Sequence, residues 1–236
     1  MNKLKIMLCA VFSLMLVNTT VHADSSNFAG PYVAISGSGY GMQLDGKSET
    51  SPTGGTFEVD EVSLGQVAPV SGIEAGYAIP LGSMFLIDIG ASLYTGESQL
   101  DFDSENTQVA AAAEESAGDA LAAKKVSLTI NNLTTGWIAP TLVLSDTSSI
   151  YIKVGLSEAK VVTSGDVTPA ADLSGTTWAL GTRTVLESGI FVKTEAGFTD
   201  YNGISAQGMG NSVSASNTYS AEPTIAYGSV GIGFRF

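Results

Sequence analysis

Seven charged side chains stand inside runs that otherwise alternate between apolar and small residues: Glu74, Asp88, Lys153, Arg183, Lys193, Glu195 and Arg235. Two chemistries suit such a set. Paired carboxylates can work as general acid and base. The same three acids and four bases can also saturate one another as a nearly neutral ion-pair network in a confined space, where an isolated charge would be costly. A Ser-His or Asp-His catalytic arrangement needs a histidine, and the sole histidine is His22, close to the N-terminus. A second acidic group, Asp101, Asp103 and Glu105 in LDFDSEN, has the alternate spacing of part of a calcium loop. It lacks the glycine and the closing bidentate glutamate of such a loop, so a solvated acidic connection is the default reading.

The N-terminus decides which of these residues the working chain retains. Lys3 and Lys5 precede an apolar run at 6–17, and Val21-His22-Ala23 has the small-residue spacing of a signal-peptide cleavage site before Asp24. Twelve apolar residues are too few for a membrane-spanning helix, which needs about 20. The expected division is therefore a signal peptide at 1–23 and one domain at 24–236. Cleavage removes Cys9 and His22, the only Cys and His. No disulfide framework and no Cys/His zinc site is then expected, and no cofactor is implied. Losing Lys3 and Lys5 also leaves 8 basic residues against 23 acidic ones. That balance argues against a nucleic-acid partner.

The elements that must position the charged set are strands. Phe85, Ile87, Ile89, Ala91 and Leu93 alternate with Leu86, Asp88, Gly90, Ser92 and Tyr94. The same period of two runs through 72–80, 150–157, 176–186, 190–199 and 226–236. Two further runs, 31–44 with blurred faces and 126–144 with Pro140, complete eight strands. One segment, 109–125, is alanine-rich with lysines at its end, which suits a short surface helix or a low-complexity loop. Connections alternate along the chain: short at Pro80–Ser83, Ser145–Ser148 and Glu187–Gly189, long and polar at about 45–62, 97–125, 163–174 and 202–222. Tight turns at one rim and long loops at the other are the pattern of an outer-membrane barrel.

An eight-stranded barrel in water also alternates, but with its apolar face inward. Here the polar face carries few charges, and most of the acid lies in the long connections. The expected fold is all-β: an eight-stranded antiparallel up-and-down transmembrane barrel with short periplasmic turns and four long outer loops, apolar side chains toward lipid. Tyr32, Tyr77, Phe85, Trp178, Phe198 and Phe234 fall near strand ends, where aromatic girdles form.

Three segments and the signal peptide resemble the eight-stranded outer-membrane β-barrel family, the OmpA/OmpX-like and opacity-type small porin group. They are GIEAGYAIP at 72–80, KTEAGFTDYN at 193–202 and the terminal YGSVGIGFRF. The resemblance spans about 28–236. It implies a cell outer membrane location in a Gram-negative bacterium. It implies outer-membrane lipid and lipopolysaccharide as surroundings, and a β-barrel assembly machinery that reads Phe234 and Phe236. Because barrel enzymes of this kind commonly use histidine, no enzyme activity is expected. Eight strands leave an interior just filled by side chains. The leading expectation is a structural and surface-interaction barrel whose acidic loops meet host or surface ligands, in adhesion or envelope integrity. A narrow porin-like channel and a soluble periplasmic lipocalin-like barrel are the alternatives.

Overall fold

The computed structural model describes residues 24–50, 58–96, 98–102, 126–165, 167–186, 189–207 and 217–236. The expected signal peptide, the 109–125 helix, Asp103 and Glu105 lie outside the described residues. Among the described residues, ten strands follow a short 3-10 turn at Ser25–Asn27: β1 Gly30–Thr50, β2 Glu58–Pro80, β3 Phe85–Thr95, β4 Ser98–Phe102, β5 Val126–Val143, β6 Ser148–Ser164, β7 Leu173–Val185, β8 Ile190–Tyr201, β9 Ile204–Gln207 and β10 Asn217–Arg235. β3 and β4 both pair with β5, and β8 and β9 both pair with β10. Each of those couples is one interrupted staircase in the wall, which therefore has eight staves. Every neighbouring pair is antiparallel, and β1 pairs with β10 from Tyr32–Arg235 to Thr50–Asn217, closing the cylinder.

The orientation of the faces follows from the alternation. Val33, Ile35, Ile73, Leu93, Leu156, Leu180, Val230 and Ile232 are exposed on the outside. Asp88, Lys153, Arg183, Lys193 and Glu195 are buried on the inside. This is the inverse of a water-soluble barrel. Among the described residues no helix is long and apolar enough to cross a membrane, a fact without bearing on strands.

Two expectations need correction, and one irregularity has a local cause. Strands reach much further than the alternation suggests: β1 and β2 stay paired out to Thr50–Glu58, so most of the connection expected at 45–62 is wall. The connections expected at 97–125, 163–174 and 202–222 likewise contain β4, the end of β6, and β9 with the start of β10. Polar residues there mislead because a strand rising past an apolar band of about 25 Å no longer needs a greasy face. The poor alternation of 126–144 has a local cause. The β5–β6 register shifts between Asn131 and Thr134, with Asn132 at φ 51°, so Ile130 and Leu133 both face inward. Such a bulge inserts one residue and changes the parity of everything after it. Second, Tyr32 is not a girdle residue. It is 2% exposed, edge-on to Phe191 at 5.6 Å inside the barrel. Tyr77, Phe85, Phe198 and Phe234 do face outward.

The wall is uneven in height. β2 has 23 residues and β1 has 21, against 13 in β7. At about 3.3 Å per residue and a strong tilt, roughly ten residues cross the apolar band. The β10–β1–β2 side thus continues well beyond it at the end opposite the tight turns.

Candidate functional site

The inward positions of β2, β3, β6, β7 and β8 bring six of the seven predicted charges together in the lumen. Lys153 Nζ on β6 lies 3.2 Å from Glu74 Oε2 on β2 and 2.7 Å from Glu195 Oε2 on β8. Lys193 Nζ on β8 lies 2.5 Å from Glu74 Oε1 and 3.6 Å from Glu195 Oε2. One step apart, Arg183 Nη2 on β7 lies 3.2 Å from Asp88 Oδ1 on β3. None of the pairs Glu74–Lys153, Glu74–Lys193 and Asp88–Arg183 joins neighbouring staves. They cross the barrel, so the charges act as rungs that fill its middle.

Each ion is also held by neutral groups. The hydroxyls of Tyr151 and Tyr227 each donate to Glu195 at 2.8 Å. Thr141 Oγ1 donates to Asp88 Oδ2 at 2.6 Å. Trp137 Nε1 donates to Ser92 Oγ at 3.0 Å, and that hydroxyl donates on to Glu74 Oε2 at 3.3 Å. The cations stack on rings: Lys153 is 4.7 Å from the Trp137 ring centre, and Arg183 is 4.5 Å from that of Tyr32. Such desolvated cation–π contacts and charge-assisted bonds are what make buried ions tolerable.

Arg235, expected in the same network, stands apart. Its Nη1 donates to the backbone carbonyls of Ser26 at 2.9 Å and Ala29 at 3.2 Å, at the tight-turn end. As the last residue of β10 it sits too near the rim to reach the central carboxylates. Phe234 and Phe236 stack edge-to-face at 5.2 Å and are both exposed. Asp101 belongs to β4, its backbone opposite Ser127. Among the described residues no three His, Cys, Asp or Glu side chains gather as metal ligands.

Above the ions lies a tier that sequence reasoning did not weigh, with Tyr40 and Thr135 in the two runs whose faces alternation left unassigned. Tyr40 stacks on Tyr94 at 5.5 Å and on Tyr227 at 5.2 Å. Beside them four buried hydroxyls join β5 to β8 in a chain: Thr135 to Ser157 at 2.7 Å, Ser157 to Thr177 at 2.5 Å, and Thr177 to Thr199 at 2.7 Å. The signal was present. Strict alternation places Tyr94, Tyr151 and Tyr227 on the faces of Asp88, Lys153 and Arg235. Met42, Ile130, Leu133, Leu173, Tyr201, Ile204 and Ile225 continue this packing inside the barrel. Chemically the centre of the lumen is largely self-paired: the Glu195 oxygens accept from Lys153, Tyr151 and Tyr227, while Tyr32 Oη, Ser38 Oγ, Tyr201 Oη and Arg183 Nε are buried without a hydrogen-bond partner.

No protein-family model matches the chain, and no curated protein matches its sequence. Its fold matches solved structures. The outer membrane protein OprG from Pseudomonas aeruginosa aligns at 12% identity with a TM-score of 0.55, covering 92% of this chain and 100% of that one. Ail, the attachment invasion locus protein of Yersinia pestis, solved with the heparin analogue sucrose octasulfate, aligns at 10% identity and a TM-score of 0.43, covering 88% and 99%. Neisserial surface protein A aligns at 11% identity and 0.43, covering 88% and 98%. At 12% identity the likeness to OprG is one of fold: a closed antiparallel barrel of the kind found in outer membranes.

Proposed function

We propose that this chain is exported, loses residues 1–23, and serves as a non-catalytic outer-membrane barrel whose far-end connections meet ligands at the cell surface, in adhesion or envelope integrity. The single observation that carries the reading is the pairing of Glu74, Lys153, Lys193 and Glu195 across the barrel. A lumen crossed by ion pairs and filled by aromatic rings leaves the connections as the place for variable contacts. Loops on a rigid scaffold are where binding usually resides. The exposed belt of Ile35, Ile73, Leu156, Leu180 and Val230 supports lipid as its surroundings, with lipopolysaccharide in the outer leaflet. The stacked, outward Phe234 and Phe236 support their reading as a signal for the β-barrel assembly machinery.

The test is fractionation of expressing cells followed by proteolysis from outside. Recovery with the outer membrane, and cuts only within 51–57, 103–125, 165–172 and 208–216, are expected. Recovery in the soluble periplasm overturns the reading in favour of a lipocalin-like carrier. Single-channel recording in planar bilayers addresses the porin alternative: steady conductance there would move the function from the loops to the lumen.

A further inference from the structure

The barrel has a strap across its tight-turn end, residues 24–29, whose first polar contact depends on how the chain begins. Ser25 N–H donates to Ser83 O at 2.9 Å, and Ser25 Oγ donates to Gly82 O at 2.5 Å, tying the strap to the β2–β3 turn. Asn27 Nδ2 donates to Asp146 O at 3.2 Å, tying it to the β5–β6 turn. Arg235 holds the carbonyls of Ser26 and Ala29 from the other side. Phe28, 1% exposed, enters the lumen and packs in the cluster of Tyr32, Leu86 and Phe191. Gly30, at φ 105°, then turns the chain into β1. The remaining contact is Asp24 N to Asp146 Oδ1, 3.2 Å, on the exposed rim.

We infer that hydrolysis of the Ala23–Asp24 peptide bond creates an α-ammonium that pairs with the Asp146 carboxylate and locks this strap over the mouth of the barrel. In the step, an export endopeptidase adds water across the bond. The C–N bond breaks, Ala23 leaves as a carboxylate, and the Asp24 nitrogen takes up a proton. The nitrogen that donated one neutral amide N–H to Asp146 becomes a cation with three donors. Charge-assisted bonds are roughly twice as strong as neutral ones. The groups facing this amine are few: Asp146 across the rim, and Asp24's own carboxylate, which is occupied by the Ser26 N–H at 2.9 Å. The finished chain thus carries an ion pair at this contact, where an uncleaved chain could offer only a neutral amide donor. The inference rests on the cleavage site read from the sequence, and its test separates the two.

The chain beginning at Asp24 is released from a fusion by a protease that leaves no added residue, then folded into phosphatidylcholine vesicles. Hydrogen exchange at the Ser25 and Phe28 amides is compared with that of the same chain N-acetylated and of a chain retaining Ala23. Exchange about two- to five-fold slower in the free-amine chain is expected, the size of an exposed ion pair, and D146N should erase the difference. Equal exchange in all three chains, or a difference that survives D146N, overturns the lock. N-terminal sequencing of the protein recovered from cells tests the cleavage itself: Asp24 as first residue supports it, and any other start overturns the processing step even where the exchange difference is seen.

Discussion

The two tiers of the lumen are built on the same alternation yet are held together differently. In the charged tier, Lys153 and Lys193 reach Glu74 across the barrel, bridging staves that share no backbone hydrogen bonds. In the hydroxyl tier, Thr135, Ser157, Thr177 and Thr199 each touch only the next stave, where the backbone ladder already joins them. The contrast teaches that charge in this barrel does long-range work. It fixes the cross-section, which no ladder can do. The hydroxyls satisfy local polarity beside the tyrosine stack.

That contrast can be broken most severely at Lys153. K153M leaves Glu74 and Glu195 short of a buried cation and is expected to lower the unfolding free energy by about 3–5 kcal/mol. Urea titration in lipid vesicles reads the loss. Pairing it with E195Q restores charge balance, leaving Glu74 with Lys193 and Asp88 with Arg183. A coupling of about 0.5–3 kcal/mol is expected in the double-mutant cycle; strict additivity would mean that the ions do not act as a unit. Gly181 tests the scaffold of the charged tier, where it pairs with Glu195 and Tyr151. A Cβ there would run into the Tyr151 hydroxyl and the Thr194 carbonyl, so G181V should cost about 1–3 kcal/mol by overpacking and displace Tyr151 from Glu195. The change would appear in the near-ultraviolet circular dichroism. S157A, in the hydroxyl chain, removes the shared partner of Thr135 and Thr177 and is expected to cost about 1 kcal/mol. A loss as large as that of K153M would erase the distinction between the tiers.

The smallest effect lies outside the lumen. The Ser26 backbone N–H donates to the exposed Asp24 carboxylate and holds it below its usual range. A folded-state pKa that is depressed stabilises above the unfolded value, about 3.9 for Asp, and the stability is lost as pH falls through the folded one. The protection of the Ser26 amide, measured relative to its intrinsic exchange rate at each pH, should therefore fall with acid below about pH 4, and D24N should flatten that response while leaving the lumen tiers unchanged.

Much of the fold was legible because a period of two is a property of adjacent residues. The eight runs, their faces and the tight turns follow from it, and so does the inward placement of Glu74, Asp88, Lys153, Arg183, Lys193 and Glu195. Legibility failed where position along a stave matters. Arg235 shares a face with the inner residues but lies at the rim. Tyr32 stood close enough to a strand end to suggest a girdle, while its neighbours in β1 were too small to reveal its face. The bulge at Asn132 reversed parity within one strand.

By itself the sequence determined the greasy exterior, the polar interior and the number of staves, because each is written in nearest-neighbour chemistry that lipid or a closed ladder must satisfy. Only the tertiary structure decided which cation meets which carboxylate, how high each wall stands, and that residues 24–29 cross one mouth. Those facts depend on the stagger between staves and on contacts between residues up to 209 positions apart, and no local pattern encodes the closure that brings them together.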